Sequence, residues 1–256
     1  WDTNTIPNKW VGTFKEESTY ANGKITLTTS YLWDGSQWAA SGKTEFAYDG
    51  SGKKLSAIKS IWMVSLWMNT GKTEFSYDAG GNNIRDTHYS WQMMTSEWEV
   101  SDKTEYTFQN GEIATAISYD WDKTLPVPGW VNSDKTEYTY NLDGNMTSMS
   151  SYDWDGSQWV GLLKMETNYS GSNPISIIIY HWDKVVNPTT GWVYFSKTEE
   201  TASGSLPNGV LYSVMTDYDW KVNQWVVTGK DTYYYSDQST SVFDKNAEKD
   251  IKVYPN

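Results

Sequence analysis

Apolar and polar positions alternate along most of this chain with a period of two. Between Trp38 and Tyr48 one set of alternate positions includes Trp38, Phe46 and Tyr48, whereas Lys43 and Glu45 fall in the other set. The same alternation runs through residues 25–33 and 113–121. A two-residue period in segments rich in Thr, Tyr and Trp predicts half-buried β-strands. No segment has a convincing helical period.

The strands belong to a sequence repeat. A Lys-Thr-Glu tripeptide begins at Lys43, Lys72, Lys103, Lys135 and Lys197, with weaker copies beginning at Lys15, Lys164 and Lys230. Each of these lysines lies five residues after a tryptophan, and an earlier tryptophan precedes that one. The resulting pairs are Trp1/Trp10, Trp33/Trp38, Trp62/Trp67, Trp91/Trp98, Trp121/Trp130, Trp154/Trp159, Trp182/Trp192 and Trp220/Trp225. They account for all 16 tryptophans and define eight repeats of roughly 30 residues.

Turn residues predict how the strands pair. Asn22-Gly23 and Asn110-Gly111 supply the positive φ angles that a two-residue hairpin turn needs. Folding the chain about Asn22-Gly23 places Tyr20 opposite Ile25. The segment 33–38, which recurs as 154–159, closes on a Gly-Ser turn and places its two tryptophans opposite each other. We expect such pairs to clamp the hairpins, each contributing roughly 0.5–1.5 kcal/mol beyond area burial.

These patterns predict an all-β fold for residues 1–235, an antiparallel meander of eight two-strand repeats and about 16 strands. One face of the sheet is expected to carry the Trp, Tyr, Phe, Ile and Leu side chains and the other the Lys/Glu pairs. A flat sheet of this width would leave its apolar face wet, so we expect it to roll into a large barrel or a flattened roll. An open spiral is the alternative.

Short Tyr-Asp and Tyr-Asn turn segments resemble a known repeat family. They are Tyr48-Asp49-Gly50-Ser51-Gly52, Tyr77-Asp78-Ala79-Gly80-Gly81-Asn82 and Tyr140-Asn141-Leu142-Asp143-Gly144-Asn145. These segments are similar to the YD repeats of Rhs-type surface proteins. The resemblance implies a long β-sheet that spirals into a shell.

The last 21 residues, 236–256, have a different composition. A polar stretch from Ser236 leads to Val253-Tyr254-Pro255-Asn256. This ending resembles the start of the C-terminal sorting domain of the type IX (Por) secretion system of Bacteroidetes. The resemblance implies export through the secretion translocon to the extracellular space or the outer cell surface. It also implies that a signal peptide has already been removed.

Charge and composition exclude several classes of protein. The chain carries 32 acidic and 20 basic residues, a net charge of −12, whereas nucleic-acid binding needs basic surface. The mean hydropathy of −0.66 and the lack of a long apolar run predict no membrane-spanning helix. Without cysteine there is no disulfide, thiolate metal site or cysteine nucleophile.

Candidate chemistry is sparse. Acidic pairs at Asp120/Asp122, Asp153/Asp155 and Asp217/Asp219 have a spacing that a glycosidase could use. Aspartate follows the first tryptophan in five repeats, however, so we interpret these residues as turn formers that bond their own backbone. His88 and His181 do not suggest a metal site. We therefore predict no catalytic, cofactor-binding or metal-ligating residues.

Ligand contacts, if any, are expected near the longest loops. The Trp-to-Trp connection lengthens between Trp121 and Trp130 and between Trp182 and Trp192, and variable loops commonly carry binding residues. Trp130, Trp192 and Tyr194 are the candidate contact residues.

Three functions remain open. The first is a secreted or surface-displayed β-repeat protein with a structural, adhesive or interaction role, with surface glycans or other surface proteins as partners. The second is a carbohydrate-binding module or a barrel that holds a small ligand. The third, a glycoside hydrolase, is the least favoured.

Overall fold

The computed structural model describes residues 12–205 and 211–235, which form strands and turns without any helix. Fifteen strands follow one another along the chain. Their bounds are β1 Phe14–Ala21, β2 Lys24–Trp33, β3 Trp38–Tyr48, β4 Lys54–Met63, β5 Leu66–Tyr77, β6 Asn83–Gln92, β7 Glu97–Gln109, β8 Glu112–Asp122, β9 Gly129–Tyr140, β10 Met146–Trp154, β11 Trp159–Ser170, β12 Asn173–Trp182, β13 Trp192–Ser205, β14 Leu211–Lys221 and β15 Gln224–Tyr235.

The strands form an antiparallel meander, as predicted. Each strand is a neighbour of the strands before and after it in the chain, in the order β1 to β15. Among the described residues no pairing joins β1 to β15, so the predicted closure into a barrel is wrong. The Trp1/Trp10 hairpin and the tail from Ser236 lie outside the described residues, and the sixteenth strand and the sorting segment remain predictions.

The predicted hairpin turns are confirmed. Tyr20 pairs with Ile25, and Asn22 and Gly23 have φ angles of 50° and 73°. In the other type of hairpin, the amide of Asp34 donates to the carbonyl of Gln37 at 3.0 Å. Local turn chemistry therefore sets the register at both ends of the hairpins.

A recurring β-bulge overturns the predicted division of the two faces. Ser60 pairs with Asn69 and Lys59 with Gly71, so Thr70 is an extra residue in β5. An extra residue interrupts the alternation and moves the following side chains to the other face. The equivalent extra residue lies three positions after the second tryptophan in six hairpins, at Ser41, Thr70, Ser101, Leu162, Phe195 and Thr228.

The bulge places Lys and Glu on the same face as the tryptophans. Trp62 pairs with Trp67, Ile58 with Lys72, and residues 58 and 62 share a face of β4. We call this side of the sheet the tryptophan face. It carries the Trp pairs, the Lys-x-Glu pairs and the tyrosine two residues before the first Trp of each described hairpin except that of Trp62, where Ser60 takes its place. The prediction that Lys and Glu occupy the opposite, polar face is wrong.

No apolar side chain is buried in the part of the chain that the structure describes. The buried residues there are Ser60, Ser150, Thr167 and Thr216, together with Gly161 and Gly191. The expected roll with a closed aromatic core is therefore not observed. The chain divides into two compact units, Trp1–Thr107 with Ala116–Ser133, and Phe108–Thr115 with Asp134–Asn256. Below, these are unit 1 and unit 2.

Candidate functional site: the tryptophan face

Seven tryptophan pairs lie opposite each other within the described hairpins. The pairs are Trp33/Trp38, Trp62/Trp67, Trp91/Trp98, Trp121/Trp130, Trp154/Trp159, Trp182/Trp192 and Trp220/Trp225. Each is edge-to-face, and the distances between ring centroids run from 4.9 Å to 5.4 Å. The predicted clamps are confirmed for these hairpins, including the two with long loops. The rings are half-buried, apart from Trp33 and Trp62, which are more exposed.

A lysine covers the rings of the next hairpin. The Nζ of Lys72 lies 4.0 Å from the ring centroid of Tyr89 and 5.6 Å from that of Trp98. The same Nζ is 2.8 Å from Oε1 of Glu74, and the hydroxyl of Tyr89 donates to Oε2 of Glu74 at 2.8 Å. The cation, its counter-ion and two aromatic rings therefore form one connected cluster.

This cluster recurs in both units. In unit 1 the Lys/Glu pairs are Lys15/Glu17, Lys43/Glu45, Lys72/Glu74 and Lys103/Glu105; in unit 2 they are Lys135/Glu137, Lys164/Glu166 and Lys197/Glu199. The Nζ lies over a tyrosine of the following strand in six of them. The exception is Lys43, which is opposite Ser60 and contacts only the ring of Trp67, at 5.4 Å.

These contacts shift the pKa values of Glu74 and Tyr89 in the Lys72 cluster. The hydrogen bond from Lys72, with that from Tyr89, holds the pKa of Glu74 below its usual value of 4.5. Burial and the bond to Glu74 raise the pKa of Tyr89 to about 12. The Lys72 cluster thus keeps the Glu74 carboxylate ionised and the Tyr89 phenol neutral over a wide pH range. Because every lysine charge is matched by a glutamate, the clusters add no net charge to the face.

The three predicted contact residues lie on the tryptophan face, in different surroundings. Trp130, in unit 1, pairs with Trp121 at 5.1 Å and lies 5.0 Å from the Nζ of Lys103. Trp192, in unit 2, contacts Trp182 at 4.9 Å and Tyr152 at 5.7 Å. Both therefore serve as clamp residues.

Tyr194 differs from the other two because it is not part of a clamp. Its ring stacks on Tyr180 at 5.0 Å and contacts Trp220 at 4.8 Å and Trp225 at 5.2 Å. It nevertheless remains 39 % exposed. We call these four rings the Tyr194 cluster. Trp192 and Tyr194 share one face of β13, so the structure brings these two predicted residues together.

The aspartates after the first tryptophan form turns, as predicted. Asp34 Oδ1 accepts hydrogen bonds from the amides of Ser36 and Gln37, both at 2.8 Å. Asp155 makes the same contacts, and these bonds lower its pKa to about 2. Asp122 and Asp183 also accept bonds from backbone amides of their own loops. Asp2 lies outside the described residues.

The histidines occupy strand positions. His88 Nδ1 is 2.6 Å from Asp102 Oδ1, on the strand opposite, and the ring of His181 contacts that of Phe195. In the described ranges no group of three or more His, Asp or Glu side chains is arranged to hold a metal ion. Nor does any helix in the same ranges have the length and apolar character needed to cross a membrane.

Sequence reasoning missed the lysine-over-ring clusters. It assigned faces by unbroken alternation, and one bulge per hairpin reverses that assignment. A signal was present, since five residues, an odd number, separate the second Trp from Lys in every repeat. Constant spacing of an aromatic and a cation would bring them to one face only if an extra residue lay between them.

Comparisons with known proteins return distant structures only. No family model and no curated protein matches the chain. A protein of unknown function from Bacteroides fragilis is 15% identical, with 60% of this chain and 91% of that chain covered and a TM-score of 0.32. A DUF3836 family protein from Parabacteroides distasonis is 18% identical over 35% and 89% of the two chains, with a TM-score of 0.28. A porin-like protein from Bacteroides uniformis is 9% identical over 87% and 94%, with a TM-score of 0.30. At these scores the similarities carry no argument about function.

Proposed function

We propose that this chain is a secreted or cell-surface β-repeat protein with a structural, adhesive or interaction role, exported by a type IX-like route. The observation that carries the proposal is the contrast between constant clamps and variable, apolar hairpin tips. Beyond the Trp pairs, the turns project Val64, Met94 and Val222, with exposed fractions of 98 %, 102 % and 94 %. In unit 1 each of these tips carries adjoining exposed apolar side chains, Met63 and Leu66 beside Val64, and Met93 beside Met94. Such groups are typical of interaction sites.

The hairpins supply the rigidity that such tips need. Cross-strand Trp pairs persist whether the connection is short, as at 34–37, or long, as at 183–191. Loops that vary on a constant scaffold are where proteins commonly place binding residues. A repeated scaffold also distributes its chemistry evenly, which favours contact with a surface over catalysis at one point.

The proposed location rests on the resemblance of residues 253–256 to a sorting segment. The partners we propose are the secretion translocon during export and, afterwards, surface glycans or surface proteins. The experiment is protease treatment of intact cells of the organism of origin, followed by immunoblotting for the β-repeats. We expect cleavage without lysis. Protection until the cells are lysed would overturn the proposed location.

The adhesive role is tested by changing the tips. A Val64→Ser, Met94→Ser variant should reduce binding of the purified chain to the surface of those cells several-fold. The matched control is Leu142→Ser, because Leu142 is equally exposed, at 105 %, but lies in a turn at the opposite end of the strands. Equal binding by all three proteins would exclude the tips as the adhesive element.

A further inference from the structure

Within the described residues, the Tyr194 cluster is a part of the tryptophan face that the repeat does not explain. At the position two residues after the second Trp, the six other described hairpins carry Ala40, Asn69, Val100, Asn132, Gly161 and Val227. None of these brings a second aromatic ring between neighbouring clamps. A feature copied in every repeat maintains the fold, whereas a singular one needs another explanation.

The surroundings of Tyr194 are aromatic on several sides. Its ring lies among Tyr180, Trp220 and Trp225, all within 5.2 Å between centroids. Trp192, two residues earlier on the same face, belongs to the preceding clamp. Clamps follow one another every second strand, at about 9.5 Å, so the Trp182/Trp192 and Trp220/Trp225 clamps succeed each other across the strands. Tyr194 is on the strand of Trp192 and contacts both rings of the second clamp. A linear ligand that runs across the strands would meet the two clamps in turn.

Charge restricts the chemistry of that ligand. The lysines nearest the cluster are neutralised: Lys197 Nζ is 2.8 Å from Glu199, and Lys164 Nζ is 2.6 Å from Glu166. At the Tyr194 cluster itself, an anionic polymer would meet only cations that are paired with glutamate, and a cationic polymer only carboxylates that are paired with lysine. At the neighbouring clamp Lys184 is the exception: its Nζ lies 5.2 Å from the centroid of the Trp182 ring and donates to the backbone carbonyls of Pro188 and Thr189. Aromatic rings with hydroxyl, ammonium and carboxylate groups at their margins match a ligand with apolar C–H faces and polar edges, the combination found in a pyranose ring.

We propose that the Tyr194 cluster in unit 2 is a binding site for a neutral linear polysaccharide. Sugar rings stack on Tyr194, and the chain continues over the Trp182/Trp192 and Trp220/Trp225 clamps. The inference rests on the proposed surface role and names the class of glycan that the surface would recognise. It also revises the sequence-based expectation that the aromatic rings point into a closed core.

The test exploits two adjacent residues on opposite faces. Tyr194→Val removes the singular ring and should fold, because Val100 and Val227 occupy the equivalent position in other hairpins. The matched control is Phe195→Thr: Phe195 is the bulge residue, is 60 % exposed, and Thr70 and Thr228 are its counterparts. Its ring contacts His181, which lies on the face opposite to Tyr180 and Trp182.

Cellohexaose, xylohexaose, mannohexaose and laminarihexaose are titrated into the full chain while tryptophan fluorescence and acrylamide quenching are recorded. We expect at least one hexasaccharide to shift the emission and protect the rings, and its disaccharide to bind more weakly. Tyr194→Val should weaken binding about tenfold, equivalent to ~1.4 kcal/mol, and Phe195→Thr should leave it unchanged. Circular dichroism of both variants verifies the fold.

Several outcomes would overturn the proposal. They are the absence of binding by all four glycans, equal losses in both variants, or tighter binding of an oligogalacturonate than of any neutral glycan. Self-association of the chain that Tyr194→Val abolishes would instead identify this face as a contact between copies. Cell-surface protease accessibility is unaffected by any of these results, so failure here is distinguishable from failure of the proposed function.

Discussion

Replacing Lys72 by methionine tests the energetic role of the lysine-over-ring clusters. Methionine keeps the apolar stem that packs along the rings but removes the charge. The Lys72 side chain is only 16 % exposed, and its Nζ lies 4.0 Å from the Tyr89 ring and 2.8 Å from Glu74. The variant therefore loses a partly desolvated cation–π contact and an ion pair together.

The magnitude follows from these two contacts. The cation–π contact is worth about 0.5–2 kcal/mol, with the upper end reserved for desolvated cations. The ion pair adds at most about 1 kcal/mol, because the Glu74 side chain is 44 % exposed and solvent screens it. We expect Lys72→Met to lower the free energy of unfolding by about 1–2 kcal/mol. The measurement is urea denaturation followed by tryptophan fluorescence.

Two other lysines provide the comparison. Lys43→Met should cost less than Lys72→Met, because Ser60 replaces the tyrosine and only the Trp67 ring, at 5.4 Å, faces the charge. Lys59→Met, at an exposed position, should change stability by no more than about 0.5 kcal/mol. If all three variants have the same stability, the clusters are incidental to the fold and the reasoning is refuted.

Three further predictions concern packing and ionisation. Gly161→Ala should destabilise the fold by about 1–3 kcal/mol in thermal denaturation, because the new methyl group would overlap the ring of Trp182. The control Gly42→Ala, whose added methyl group would have its nearest neighbour at 3.7 Å, should be tolerated, and equal melting temperatures of the two variants would contradict this. Subtracting the ultraviolet alkaline titration of Tyr89→Phe from that of the native chain should leave a component near pH 12, and a component centred at 10.0 would refute the assignment. Because folding raises the pKa of Tyr89 from 10.0, the stability that Tyr89 contributes is present below pH 10 and is lost as the pH rises to 12. Asp155 has a pKa lowered from 3.8 to about 2, so it stabilises the fold above pH 3.8 and loses that effect as the pH falls to 2. Asp155→Asn should therefore make the melting temperature depend less on pH between 3.8 and 2, and an unchanged dependence would count against the role of Asp155 in the turn.

Local features of this fold were predictable because short-range chemistry determines them. Asn22-Gly23 forces a tight hairpin, and that turn alone fixes Tyr20 opposite Ile25. The Trp33/Trp38 clamp and the Asp34 turn follow from a segment of six residues. In each case the interacting groups lie within a few residues, so no information about distant strands is needed.

The assignment of faces was not predictable from alternation, because a single inserted residue reverses it. Without the extra Thr70, Lys72 would lie on the opposite face from Trp67, and the chain would have one apolar and one charged face. Such a sheet would have to cover its apolar side, so unbroken alternation predicts closure. With the bulge, lysine stems and ion pairs cover part of each ring. The described sheet can then leave its rings half-exposed, with no buried apolar side chain.

The same bulge changes how an aromatic-rich repeat bears on function. If the rings formed a closed core, every tryptophan and tyrosine would be explained by stability, and none would remain for a ligand. On an open face that explanation holds only for rings whose contacts recur, such as the clamps and Tyr89 beneath Lys72. Tyr194 has no counterpart among the other described hairpins, is exposed, and gathers three further rings around it. The evidence for a site is therefore that Tyr194 departs from the repeat, more than that aromatic residues are abundant. Comparing glycan binding by Tyr194→Val and Phe195→Thr tests whether that departure serves a ligand.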